Sequence, residues 1–155
     1  MDLTLSTDQR DLRAALREYL AGTWTPERLR SATADNALDR KGWRALAEMG
    51  IFGLTLPETG GGLGLGLADA VIVFEELGRA LVPGPLPATF LAAGLVPGAV
   101  DGDAVVTMLD TREPVAVVEH LASATHVVLV SDDGLFLLPA GQLTGTPAAG
   151  TGRRR

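Results

Sequence analysis

The 155-residue sequence contains no cysteine. That absence excludes a disulfide scaffold, cysteine-ligated zinc, iron–sulfur clusters and thiol catalysis, and it fits a reducing compartment. Histidine is scarce: His120 and His126 are the only two. With no cysteine and no carboxylate spaced beside them, no metal site is expected. No Ser–His–Asp arrangement stands out, and Ser131-Asp132-Asp133 reads as turn chemistry. Basic residues are in deficit, 13 Lys+Arg against 19 Asp+Glu, for a net charge near −6. Without a basic face to neutralise phosphates, nucleic acid is not an expected partner. Long apolar runs are missing too. The uncharged stretch from Ala80 to Val100 is broken by Pro83, Pro85, Pro87 and Pro97, and nothing approaches the roughly 20 residues of a membrane span. Met1-Asp2-Leu3 opens with neither a basic nor an apolar stretch, so no signal peptide is read. These absences predict a soluble, cytoplasmic chain.

What is present is apolar content, 46% of the residues, enough for a globular core. The first half has helical period. Ser6 with Gln9 forms a capping box, and Leu12, Leu16, Tyr19 and Leu20 recur at helical spacing up to Gly22. Pro26 suits a first helical position. A helix over Asp39–Met49 presents Trp43, Leu46 and Ala47, and Gly50 stands where a C′ glycine belongs. Ile51–Leu56 reads as a short extended piece leading into the glycine loop Pro57–Gly66. A third strong helix spans Leu67–Leu81, its stripe being Val71, Phe74, Leu77 and Leu81, widened by Ile72 and Val73. A short apolar helix covers Pro85–Leu95. Near residue 100 the period changes. Ala104–Leu109, Val115–Val118, Val127–Val130 and Leu135–Leu138 read as strands, with a hairpin turn at Asp132-Asp133-Gly134. The fold class expected is therefore mainly α, a helical bundle followed by a partial antiparallel β-domain.

Candidate chemistry is thin. The glycine loop lacks the offsets of a dinucleotide fingerprint and the Gly-Lys-Ser/Thr ending of a P-loop. Asp69 already complements the following helix dipole, so the loop reads as a tight turn with close backbone approach. Glu75 and Glu76 are about 100° apart on a helix and do not face one target as an acid/base pair would. Each is within pairing distance of Arg79, so a solvated or inter-element ion pair is expected. The stripe Val71, Phe74, Leu77, Leu81 reads as core, with the alternative that part of it lines a long apolar pocket. No residue stands out as catalytic.

The string Trp43-Arg44-Ala45-Leu46-Ala47-Glu48-Met49-Gly50-Ile51-Phe52-Gly53-Leu54 runs into Leu56-Pro57-Glu58-Thr59-Gly60-Gly61-Gly62-Leu63-Gly64. Glu75-Glu76-Leu77-Gly78-Arg79 and Pro83-Gly84-Pro85 follow. Over residues 1–95 this order and spacing resembles the N-terminal helical domain of the acyl-CoA dehydrogenase family. The resemblance implies a helical domain over residues 1–100, a partial middle β-domain over 101–140 and a flexible tail or truncation edge over 141–155. It implies an acyl-CoA substrate, FAD as cofactor, and oxidation of the acyl chain between its α and β carbons. In that chemistry a glutamate base takes the α-proton while hydride leaves to the flavin. Family chains are more than twice as long, and the domain carrying the base has no counterpart here, so no residue is assigned to it. The family's Thr-Glu-Pro stretch has a partial echo in Thr111, Glu113 and Pro114, with Arg112 inserted and no Gly-Ser-Asp after it. Thr111 is thus the one cofactor-binding position carried over. Phe74, Leu77, Leu81 and Phe90, the last in the Leu86–Leu91 segment, are carried over as substrate pocket. A homo- or hetero-oligomer with a longer homologue is expected. The alternative is a non-catalytic subunit or interaction module that docks on such a homologue.

Overall fold

The computed structural model describes residues 4–34, 38–112 and 118–145. Five α-helices come first: α1 Thr7–Thr23, α2 Pro26–Ala34, α3 Arg40–Glu48, α4 Leu67–Arg79 and α5 Leu86–Ala92. Three strands follow, β1 Val106–Asp110, β2 His126–Ser131 and β3 Gly134–Pro139. The bundle-then-sheet order is the one expected. None of the described helices is long and apolar enough to cross a membrane.

Local chemistry starts and stops the helices. Ser6 accepts from Gln9 N, and the Gln9 side chain accepts from Ser6 N, closing the capping box of α1. This helix runs through Gly22 to Thr23, because nothing crowds or strains that exposed glycine. Asp39 caps α3 through Gly42 N at 2.9 Å and holds Arg28 at 2.6 Å. Burial pulls the Asp39 carboxyl upward, but the Gly42 N–H and Arg28 together outweigh it and leave it below the usual aspartate value. Gly50 ends α3 at φ +79°, as expected of a C′ glycine.

The piece Ile51–Leu56 is not extended. Ile51–Gly53 forms a 3-10 turn whose residues are all buried. The glycine loop then folds back on it through Leu63 N to Gly53 O and Leu65 N to Leu54 O. That return explains the loop: a Cβ at Gly62 would sit 2.1 Å from Leu56 O. Trp43 and Phe52 stack with ring centroids 4.5 Å apart at the centre of the core.

The sheet has the order β1-β2-β3. β2 and β3 form the expected antiparallel hairpin, with Ser131 opposite Gly134. β1 pairs with β2 in parallel, Val106 opposite His126. The sheet is therefore mixed, because β1 reaches β2 by a crossover and not by a tight turn. Val118 lies outside any strand, and the rest of the Val115–Val118 run lies outside the described residues. So does most of the expected tail, from residue 146 onward. Thr89, fully buried on α5, joins the two halves. Its hydroxyl donates to Val106 O at 3.0 Å and accepts from Val106 N at 2.9 Å.

Candidate functional site

Helix α4 is apolar on more than one side, and its two sides meet different environments. The inward face carries Ala70, Ile72, Val73, Glu76 and Leu77, all buried. The stripe expected to be core turns the other way. Val71 is 61% exposed and Leu81 74%, whereas Leu77 is 1% exposed. Phe74 is half-buried between them, its ring 5.1 Å from that of Phe90 on α5. Leu81 leaves the stripe for a further reason. The helix ends at Arg79, with Leu81 N bonded to Gly78 O and Val82 N to Leu77 O. These two bonds make a Schellman turn with leucine at the left-handed position, φ +53°. Of the four residues expected to line a pocket, Phe74 and Phe90 meet directly. Leu77 belongs to the core, and Leu81 stands in solvent.

The inward face is held by charge. Arg17 Nε and Nη2 donate to the two oxygens of Glu76 at 2.9 and 2.6 Å. Arg13 Nε lies 3.3 Å and Arg79 Nε 3.5 Å from the same carboxylate. Arg13 also reaches Glu75 at 2.6 Å. The ion pairs do join two elements, as expected, but Glu76 is 2% exposed and not solvated. The Arg17 hydrogen bonds hold its carboxyl below the usual glutamate value, against the upward pull of burial. Two turns earlier, Gln9 Nε2 donates to Asp69 Oδ1 at 2.8 Å. Sequence reasoning missed this seam. The signal was present: Gln9, Arg13 and Arg17 recur every four residues, and Asp69 and Glu76 seven apart.

Thr111 sits at the end of β1, exposed, and its hydroxyl and amide both donate to Val130 O. Beside it, Arg112 grips Asp110 and draws that carboxyl down to about 2. Glu113 and Pro114 lie outside the described residues. The Thr111 hydroxyl proton is thus already committed, and the neighbouring charges are paired with each other. The described residues here do not form a flavin cradle.

The sheet is apolar on both faces. Met108, Val128 and Leu137 lie in register on one side, and Leu109, Leu129 and Phe136 on the other. Met108 is 40%, Phe136 47% and Leu137 44% exposed. Strands apolar on both sides are written to be covered on both sides.

Comparison with known proteins matches residues 6–102 to the family model described as "Acyl-CoA dehydrogenase, N-terminal domain". Acyl-CoA dehydrogenase IpdE2 of Mycobacterium tuberculosis is 44% identical over 92 residues, covering 58% of this chain and 29% of that protein. A variant of the Tcur3481-Tcur3483 steroid ACAD superposes with a TM-score of 0.66 at 28% identity, covering 88% of this chain and 49% of that one. The ChsE4-ChsE5 complex from Mycobacterium tuberculosis superposes at 0.63 and 21% identity, covering 90% of this chain and 48% of that one. The chain thus spans under a third of this curated relative and about half of each solved chain.

Proposed function

This chain belongs to the acyl-CoA dehydrogenase family, and from that premise we propose that its outer α4–α5 face is one wall of an acyl-chain site. The reaction served is FAD-dependent α,β-dehydrogenation of acyl-CoA thioesters. The observation that carries this reading is the outward turn of an apolar stripe. Val71 and Leu81 would have stabilised the core had they faced it, yet they stand exposed, while Phe74 packs at the core's edge and meets Phe90. An aromatic and aliphatic wall excludes water from a hydrocarbon chain and fixes its direction.

The fit does not extend to the cofactor. With Thr111 bonded to Val130 and Arg112 to Asp110, the end of β1 offers no free flavin contact, and no residue is assigned as the carboxylate base. In this reading residues 1–100 act as the helical wall and residues 101–140 as part of a β-domain.

Titration of the 155-residue chain with acyl-CoAs of increasing chain length tests the wall. Affinity should rise with length by up to about 0.8 kcal/mol per buried methylene, with coenzyme A itself not binding. Val71→Asp should flatten that rise. Affinity independent of chain length would overturn the reading.

A second reading is favoured by the two-sided apolar sheet: the chain works as a subunit docked on a longer homologue. The ChsE4-ChsE5 neighbour is itself a complex. Co-expression with a full-length relative should give a stable heteromer by light scattering. A chain that remains monomeric beside that relative counts against it.

A further inference from the structure

We infer that Glu76 is a positioning residue, whose hydrogen bonds to Arg17 and ion pair with Arg13 set the rotation of α4 and thereby turn the Leu67–Val71 stripe outward. The inference rests on the reading of that stripe as the working face.

Hydrophobic burial alone does not choose this rotation. At about 100° per residue, the mean direction of the six large apolar side chains of α4 lies roughly a quarter-turn from the mean direction of its buried ones. The helix gives up burial of Leu67 and Val71, 70% and 61% exposed, and takes a carboxylate inside instead. A buried carboxylate is tolerated only where cations meet it. Arg79 of α4 itself lies 3.5 Å away, and the other two cations are on α1: Arg17 with two short hydrogen bonds, and Arg13 alongside. The Gln9–Asp69 bond, two turns toward the N-terminus, fixes the same orientation and links the caps of both helices. Turned a quarter-turn toward its apolar side, α4 would bury Val71 and strand Glu76 away from both arginines. A buried polar group that selects one packing among several near-equal ones is a known use of such groups.

The test uses the absence of native cysteine. Val71→Cys and Ile72→Cys report the two faces, 61% and 5% exposed. In the otherwise unchanged chain the thiol at 71 should react with an alkylating reagent at least about tenfold faster than that at 72. In Glu76→Gln, which removes the charge without adding an apolar side chain to the inward face, the ratio should fall below about threefold while the chain still melts cooperatively. The exchanged pair Glu76→Arg with Arg17→Glu should restore it. A cooperative melt with the ratio unchanged in Glu76→Gln overturns the inference. If Glu76→Gln does not fold, Arg17→Gln and the exchanged pair decide. A lowered ratio in the first that returns in the second supports the inference, and an unchanged ratio in the first or no return in the second overturns it. No ligand is present, so this outcome is independent of whether acyl chains bind.

Discussion

Residues 40–56 and residues 106–139 are both apolar stretches, and they meet opposite fates. In the first, Trp43, Leu46, Ile51, Phe52 and Leu54 are all 3% exposed or less. In the second, Leu135, Phe136 and Leu137 are between 44% and 72% exposed. The difference is one of partners, not of composition. A helix needs a single apolar stripe, and α3 closes its own against the 3-10 turn Ile51–Gly53, which α5 also meets. A strand in a doubly covered sheet needs two layers, and here α5 supplies cover only at the Val106 end of β1. The core around Trp43 and Phe52 is energetically closed; the sheet half is written for contact.

The contrast can be broken most forcefully at its closed end. Phe52→Ala removes the ring stacked on Trp43 and should cost about 3–5 kcal/mol, read by denaturant unfolding. A loss under 1 kcal/mol would show that the helical core is not closed as described. At the junction, Thr89→Val leaves both Val106 N and O buried without a partner. The expected cost is about 2–3 kcal/mol, with hydrogen exchange at β1 rising more than at α3.

The α1–α4 seam gives a pH signature. The Glu76 carboxyl lies below its ordinary 4.5 in the folded state. Its contribution is therefore complete above that value and is lost as the pH falls through the folded one. The groups packed on it are Arg13 and Arg17 from α1 and Glu75 and Arg79 from α4. The melting temperature should drop below about pH 4.5, and Glu76→Gln should flatten that acid limb. An equally steep limb in the variant would place the acid sensitivity elsewhere, for instance at Asp39 or Asp110.

Smaller effects come from the outward face. Leucine at φ +53° is strained where glycine would not be, so Leu81→Gly should stabilise the fold by about 1 kcal/mol. It should also weaken long-chain acyl-CoA more than short. Stability rising with no change in chain-length preference would remove Leu81 from the wall and leave Phe74 and Phe90. Least of all, Leu135→Thr, 72% exposed now, should move stability of the solitary chain by under about 0.5 kcal/mol. Complex formation with a longer homologue should suffer instead; a large loss in the solitary chain would mean the sheet is already covered.

Much of this was legible from the residues. The capping box at Ser6, the C′ glycine at Gly50, the hairpin at Asp132–Gly134 and the family resemblance of residues 1–95 all depend on neighbours a few positions apart. The chain sets such features locally, so periodicity and spacing suffice. Of the four residues expected to line a pocket, Phe74 and Phe90 meet, while Leu77 went to the core.

What tertiary structure alone decided was orientation. Val71 and Leu81 were expected inside because α4 is apolar nearly all round, and periodicity cannot say which side of such a helix turns in. That choice falls to a carboxylate at 76 and the guanidiniums of a helix some 60 positions earlier, a contact no local pattern reveals. The parallel pairing of β1 with β2 has the same character. Strands announce themselves by composition, but their direction and partners are fixed by the crossover between them and by what lies against their faces.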